Sequence, residues 1–410
     1  MNHQDPIGII ELGNIYIRCL IFKIDQDNNP EILSTSITQS KGIHNGVIVN
    51  LKKASSVFRS CISDAEKKSD TLLKKINVVI EQPEFLCTKF SKSRKINGSK
   101  IQKEDIDFLL KEAKKQVALN DEKQSIIHIF NHNYIVDGKT FIEEPIDVYA
   151  DYLSHEMTFI TMPKNILNNI KQAFNECDIE VERFISSTFA LGAQLLKINE
   201  LQFGSILVDI GFEKISLGIF KNLALIHSAT LPVGINHLTK DISKVCSLSL
   251  EESEKIKNTI DFSFVSNKEL FDKNGLLNNS FFISSNYRKI SKSLIVDVII
   301  ARLNEIFKMI KKQISINGLN SAFSTNFFIA GGGSKLLNLE DYCSKFFGFK
   351  IKKINNISEK EEKEDYNQLS ACLGALKIIK DGWETEAIPE PANKNNKKLS
   401  FFSKIFGNKL

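Results

Sequence analysis

The chain has 410 residues, of which 42% are hydrophobic and 25% charged. That composition belongs to a soluble globular protein of two or three domains, and it excludes a collagen, a coiled coil or a wholly disordered chain. Fifty-four Lys and Arg against 49 Asp and Glu leave a net +5, too mild a bias to argue for nucleic acid.

The N-terminus, MNHQDPIGII, lacks a basic stretch followed by an apolar one, so no signal peptide is expected. No run approaches the ~18 apolar residues of a spanning helix, and a cytoplasmic protein is expected. Seven cysteines, an odd number without a CxxC pair, predict buried free thiols in a reducing compartment rather than disulfides or a zinc site.

The first patterned element is IIELGNIYIRCLIF at 9–22. Alternating β-branched residues on either side of Leu12-Gly13-Asn14 predict a β-hairpin. The segment 95–118 reads as a loop leading into an amphipathic helix. Strands follow at 125–138 and 156–163, then a helix over 164–179. His128 and His132 lie four apart, but IIHIF reads as a strand with no third ligand apparent, so a metal pair is not expected. SSTFALGAQLL at 186–196 reads as a helix carrying Ala and Gly for close approach.

LVDIGFEKISLGIF at 207–220 overlays 9–22 without a gap, at an offset of 198. Glu11 falls on Asp209, Gly13 on Gly211 and Ile17 on Ile215. Each turn needs its glycine because a side chain would obstruct the backbone there. Two such hairpins predict two similar halves, each built on a sheet, with an acid near each turn. Facing carboxylates and turn amides suit a nucleotide with hydrated Mg²⁺.

NFFIAGGGSKLL at 326–337 reads as a strand running into Gly331, Gly332 and Gly333, with Ser334 placed to cap a following helix. Such a turn suits a phosphate or the edge of a nucleoside. SACLGALKII at 370–379 is a second small-residue helix. Beyond Gly382 the composition shifts to a polar stretch with two prolines, read as a disordered linker over 383–397. KLSFFSKIFGNKL at 398–410 then reads as a short amphipathic helix. Leu399, Phe402, Phe406 and Leu410 fall within an arc of about 80°, extended by Phe401 and Ile405. Lys404 lies opposite, and Lys409, near the helix end, can snorkel. A membrane-binding helix is expected from this pattern.

The order hairpin, helix, hairpin, glycine loop, helix resembles the actin, sugar-kinase and heat-shock ATPase superfamily. Within it the chain is similar to the FtsA family of bacterial cell-division proteins. SKGIHNGVIVN at 40–50 resembles that family's S-x-G-[IM]-x-x-G-x-[IV]-x-[DN] segment, LPVGINHLTKDI at 231–242 the stretch after the second hairpin, and EESEKIK at 251–257 its ribose-contact helix. The resemblance implies a two-lobed α/β actin-like fold. Its first lobe would comprise a core at 1–82 (1A), an inserted 1C subdomain at 83–162, more core at 163–203 and a return at 351–382. The second lobe would comprise a core at 204–236 (2A), an insert at 237–305 (2B) and more core at 306–350.

Carried over by position, the nucleotide neighbours would be Glu11, Gly13, Asn14, Asp209, Gly211, Glu254, Lys257, Gly331, Gly332, Gly333 and Ser334. The cofactor would be ATP with Mg²⁺, and no metal ligand from the protein is direct. The second hairpin departs from the family's VDIGGGTTD: Phe212 and Glu213 stand where small residues approach the phosphates. Asn14 replaces the usual Thr or Ser, and Glu11 the commoner Asp. Either nucleotide binding is weakened or lost, or the site is kept with altered loop geometry; in both cases hydrolysis is not the expected main role.

The resemblance also implies self-association into actin-like filaments, other division proteins as partners, and attachment to the inner face of the cell membrane at the division site. The C-terminal peptide of FtsZ, the tubulin-like division protein, would dock on 237–305. Lys289, Lys292 and Arg302 on or beside a helix there could meet an acidic peptide. The alternatives are a pilus-assembly platform like PilM, which shares the inserted subdomain, and an active ATPase or kinase of the same superfamily.

Overall fold

The computed structural model describes residues 5–263, 269–316, 326–354 and 368–381, without the side chain of residue 132. The expectations for 383–397 and 398–410 therefore lie outside the described residues. The chain divides into two compact units. The first takes the described residues of Met1–Gly204, Gly218–Ala229 and Asn356–Leu410, the second those of Ser205–Leu217 and Thr230–Asn355.

The first hairpin forms as expected, from β1 (Ile7–Leu12) and β2 (Tyr16–Ile24), with Glu11 opposite Arg18 and Leu12 opposite Ile17. β3 (Pro30–Gln39) continues the sheet beside β2. A two-residue hairpin, β4 (Ile43–His44) and β5 (Val47–Ile48), leads to α1 (Leu51–Ser69). Asn50 caps α1 by accepting from the Lys53 amide at 3.0 Å, one of the donors a helix start leaves unpaired. β6 (Lys75–Ile80) runs parallel to β1.

The chain then leaves for the inserted subdomain: β7 (Leu86–Lys100), α2 (Lys103–Asn120), β8 (Gln124–Val136), β9 (Lys139–Phe141) and β10 (Tyr149–Pro163). Its sheet has the order β7-β10-β8-β9. Residues 95–100, expected as loop, are the end of β7. Asn97 and Gly98, both at positive φ, are absorbed where the β7–β10 register shifts, so pairing resumes at Ser99 and Ala150. Ile96, Ile101, Ile106 and Leu109 close a core with Tyr134, Val136, Ala150 and Leu153.

α3 (Lys164–Asn175) returns the chain and stacks Phe174 on Phe58 of α1, with ring centroids 4.6 Å apart. β11 (Glu180–Ser186) completes a sheet of order β11-β6-β1-β2-β3. α4 (Ser187–Leu195) follows, then α5 (Ile198–Phe203).

The repeat begins at β12 (Ser205–Ile210), whose bounds are those of β1 moved by 198. With β13 (Ile215–Lys221), β14 (Ala224–Leu231), β15 (Phe327–Ala330) and β16 (Ile351–Lys353) it gives the order β14-β13-β12-β15-β16. This is the first sheet's order read from the other end. Between β14 and β15 come α6 (Asn236–Cys246), α7 (Leu250–Thr259) and α8 (Lys292–Ile316). α9 (Leu339–Phe347) precedes β16, and α10 (Ser370–Asp381) ends the described chain. The two small-residue helices, α4 and α10, pack on each other: a Cβ at Gly374 would collide with the Ala190 carbonyl.

Candidate functional site

Asp209 ends β12 beside Ala330 of β15. The next residue, Gly331, has φ +83, and a Cβ there would strike Asp209 Oδ1. Gly333 packs on Ile210, whereas a Cβ at Gly332 would find no heavy atom within 4 Å. Of the three glycines, two serve the approach of this turn to β12 and one leaves backbone open to a ligand. Ser334 does not cap a helix as expected. A 3-10 turn spans Gly332–Lys335, α9 starts only at Leu339, and the Ser334 hydroxyl donates 2.8 Å back to the Gly331 carbonyl.

The second hairpin turn repeats the first in detail. A Cβ at Gly13 would collide with the Tyr16 carbonyl, and one at Gly211 would lie 2.7 Å from the carbonyl of Lys214, its equivalent at 198. The segment after β14 clamps this second turn. Ile235 and Asn236 donate their amides to the Gly211 and Phe212 carbonyls at 3.0 and 2.8 Å.

Glu213, the anomalous acid, is drawn onto the same segment. Its carboxylate accepts from Asn236 Nδ2 at 2.8 Å and pairs with Lys240 Nζ at 3.2 Å. Burial alone would raise its pKa, but the bonds from Asn236 and Lys240 outweigh that and hold it low. The added charge is thereby compensated locally.

α7 brings Glu254 and Lys257 to the same unit. Lys257 is 2% exposed and gives both its contacts, at 2.7 Å, to Glu254, which also accepts from Thr239 at 2.6 Å. Burial pushes the Glu254 pKa up, and the bonds from Lys257 and Thr239 more than reverse it. Just beyond α7, Phe262 donates its amide to the Leu337 carbonyl and Asn338 donates to Asp261, at 2.9 and 3.0 Å. The helix end is thus fastened to the loop that follows the three glycines.

In the first unit, Asn14 Oδ1 accepts from the Gly46 amide at 3.1 Å, and Gly46 in turn accepts from Gln82 Nε2. Neighbouring Glu81, buried, accepts from the Ser186 hydroxyl and the Thr188 amide, each at 2.9 Å. Ser186 N–H donates to His128 Nε2 at 2.9 Å, so β8 of the inserted subdomain is tied to this core. His128 is a strand residue, as expected, and burial together with nearby Arg183 lowers its pKa to about 3.

Glu11 pairs with Arg18 across the hairpin, Oε2 to Nη1 at 3.4 Å. Sequence reasoning missed Arg18, although counting across the Gly13 turn sets it opposite Glu11. It also missed Asn236 and Lys240, because a partner 23 or 27 residues away carries no local signal. Arg302, offered as a docking cation, is already engaged. It bonds Asp241 through Nε and Nη2 at 2.5 and 3.0 Å, and Glu305 at 2.6 Å.

The turns of the second unit are compatible with a phosphate-bearing ligand: Gly332 is open and the charge of Glu213 is compensated. In the second unit the candidates are Gly211 and the Gly331–Ser334 turn for phosphate and nucleoside, Glu254 for a ribose and Asp209 for the waters of a Mg²⁺ ion; in the first unit, taken by itself, they are Glu11, Gly13 and Asn14 of the first hairpin. Among the described residues no group of three or more His, Cys, Asp or Glu could hold a metal directly. No helix among them is long and apolar enough to cross a membrane. All seven cysteines are free and six are buried.

The family model described as "Cell division protein FtsA" matches residues 206–374, and the "SHS2 domain inserted in FTSA" matches 85–161. The chain belongs to the FtsA family. A cell division protein FtsA of Buchnera aphidicola subsp. Acyrthosiphon pisum is 27% identical over 409 residues, 97% of this chain and 94% of that one. Among solved structures, the PilM-PilN type IV pilus biogenesis complex matches at 12% identity and a TM-score of 0.61, covering 91% of this chain and 98% of that one. MreB5 of Spiroplasma citri bound to ADP matches at 12% and 0.54, covering 92% and 98%. The fold is therefore α/β and actin-like, as expected, and FtsA membership carries the general role, in cell division.

Proposed function

We propose that this chain tethers polymers of FtsZ to the cytoplasmic face of the cell membrane at the division site. The observation that carries the reading is the sequence at 398–410 on an FtsA-family chain: four large apolar residues at helical spacing, flanked by Lys and preceded by a polar linker. A short interfacial helix of this kind binds no more tightly than a single acyl chain, with K of roughly 10⁴ M⁻¹. One copy therefore exchanges on and off the bilayer. Copies joined in a filament gain avidity of ~10²–10⁴ without new contacts, so self-association and anchoring are coupled.

The FtsZ C-terminal peptide docks on 237–305 in this reading. Of the three cations offered above, Arg302 is engaged, which leaves Lys289 and Lys292 to meet its acidic groups, and Lys292 sits 5.9 Å from the Phe271 ring. ATP is bound as a state-setting ligand rather than as a substrate for turnover. The compensation of Glu213 by Asn236 and Lys240 supports a site kept with altered loop geometry over a lost one.

The test is co-sedimentation of FtsZ polymers with vesicles, using the full chain and a chain truncated after Gly382, with and without ATP. The tether requires that only the full chain carry FtsZ down. Pelleting of the protein without FtsZ points to a different partner, and pelleting that ignores the tail ends the proposal.

A further inference from the structure

We propose that Arg18 is a phosphate-contacting cation of the first unit, an assignment that rests on the nucleotide reading of the two hairpins. Its contact with Glu11 is a single one at 3.4 Å, long for a group with five N–H donors. The same Nη1 lies 3.2 Å from where a Cβ of Gly13 would stand. The guanidinium therefore runs alongside the turn backbone, and the glycine leaves it room. The Tyr16 ring borders it, with centroid and guanidinium carbon 5.8 Å apart. Nε is buried and meets no acceptor among the described residues. A buried donor of this kind is unfavourable until an acceptor reaches it.

The side chains of Arg18 and Glu11 are 19% and 18% exposed, so the pair is neither sealed in the core nor fully in water. Alone, Glu11 would repel a phosphate. With Arg18 beside it the turn is neutral, and the planar fork of the guanidinium matches two phosphate oxygens at once. The internal repeat isolates the feature. At 198 residues further on, Arg18 corresponds to Ser216, which is buried, and Tyr16 to Lys214. The cation at this register belongs to the first hairpin only.

The experiment compares ATP and adenosine binding by calorimetry for the full chain, Arg18→Gln and Arg18→Lys, with circular dichroism and urea midpoints as fold controls. Arg18→Gln is expected to weaken ATP about tenfold or more while leaving adenosine unchanged. Arg18→Lys, which keeps the charge and loses the fork, falls between. If folded Arg18→Gln binds ATP as the parent does, the assignment is wrong and the nucleotide reading stands. If the parent itself binds no ATP, both fall together. Should Arg18→Gln fail to fold, Arg18→Lys decides: a reduced ratio of ATP to adenosine affinity supports the contact, and an unchanged ratio overturns it.

Discussion

The carboxylate of Asp209 lies against the α-carbon of Gly331, so close that no side chain could occupy that position. The contact joins the end of β12 to the turn after β15, and the backbone at Gly331 is left-handed, φ +83. Gly331→Ala is expected to destabilise the protein by at least about 2 kcal/mol, from strain at positive φ plus the clash. Urea unfolding measures this. Adding Asp209→Ala should recover part of the loss, as residues in contact do not behave additively.

Glu252 organises the loop between α7 and α8. It is buried, and its carboxylate accepts from the amides of Ile283, Ser284 and Ser285 at 2.6 to 2.8 Å. Burial would raise its pKa, but bonds from Ser285, Ser249 and Ser284 depress it far below the ordinary carboxylate range. A depressed acid stabilises the fold above the unfolded value near ~4.3 and loses that contribution as pH falls toward the folded value. Glu252→Gln should cost about 2 kcal/mol at neutral pH. It should also remove part of the parent's loss of stability below about pH 4, read from urea midpoints at several pH values.

His128 works with the opposite charge type. Its pKa is lowered from 6.5 to about 3, so between those values the unfolded chain takes up a proton that the folded chain refuses. Stability therefore falls as pH drops from 6.5 toward 3, by up to about 1.4 kcal/mol per unit from this residue. His128→Phe should flatten that part of the pH curve. It should also lower stability at pH 8 by about 1–3 kcal/mol, because the Ser186 amide loses its acceptor. A variant with an unchanged slope would show that His128 is not the group responsible.

Lys240 is half exposed, and its pairing with Glu213 adds little to folding. Its expected effect is on the nucleotide. Lys240→Ala should weaken ATP binding by up to about fivefold, while Glu213→Gln should not weaken it at all. Equal losses in both variants would mean that the pair matters for the shape of the turn rather than for its charge.

Both hairpins, their glycines and the duplicated sheet were legible in the sequence because they depend on local alternation and on a repeat at a fixed offset. The Ala and Gly of the two small-residue helices were legible as points of close approach, but not that the two helices meet each other. The features that could not be read depend on contacts across long separations. Nothing local says that Glu213 turns onto Lys240, that Arg302 is bound to Asp241, or that Asn97-Gly98 is a bulge inside a strand rather than its end. Ser334 was misplaced for a related reason: a capping residue is recognised by the helix directly after it, and here a 3-10 turn intervenes before the helix.

The packing of α10 against α4 has a consequence for how the chain is built. The first unit contains the N-terminal strands, yet its last described helix is encoded after the whole of the second. On a ribosome the apolar surface of α4 must wait, uncovered, while about 170 further residues are made. A truncation that removes α10 should therefore leave a nascent product that chaperones hold and proteases clear. Synthesis carried to the end is what closes the domain begun first.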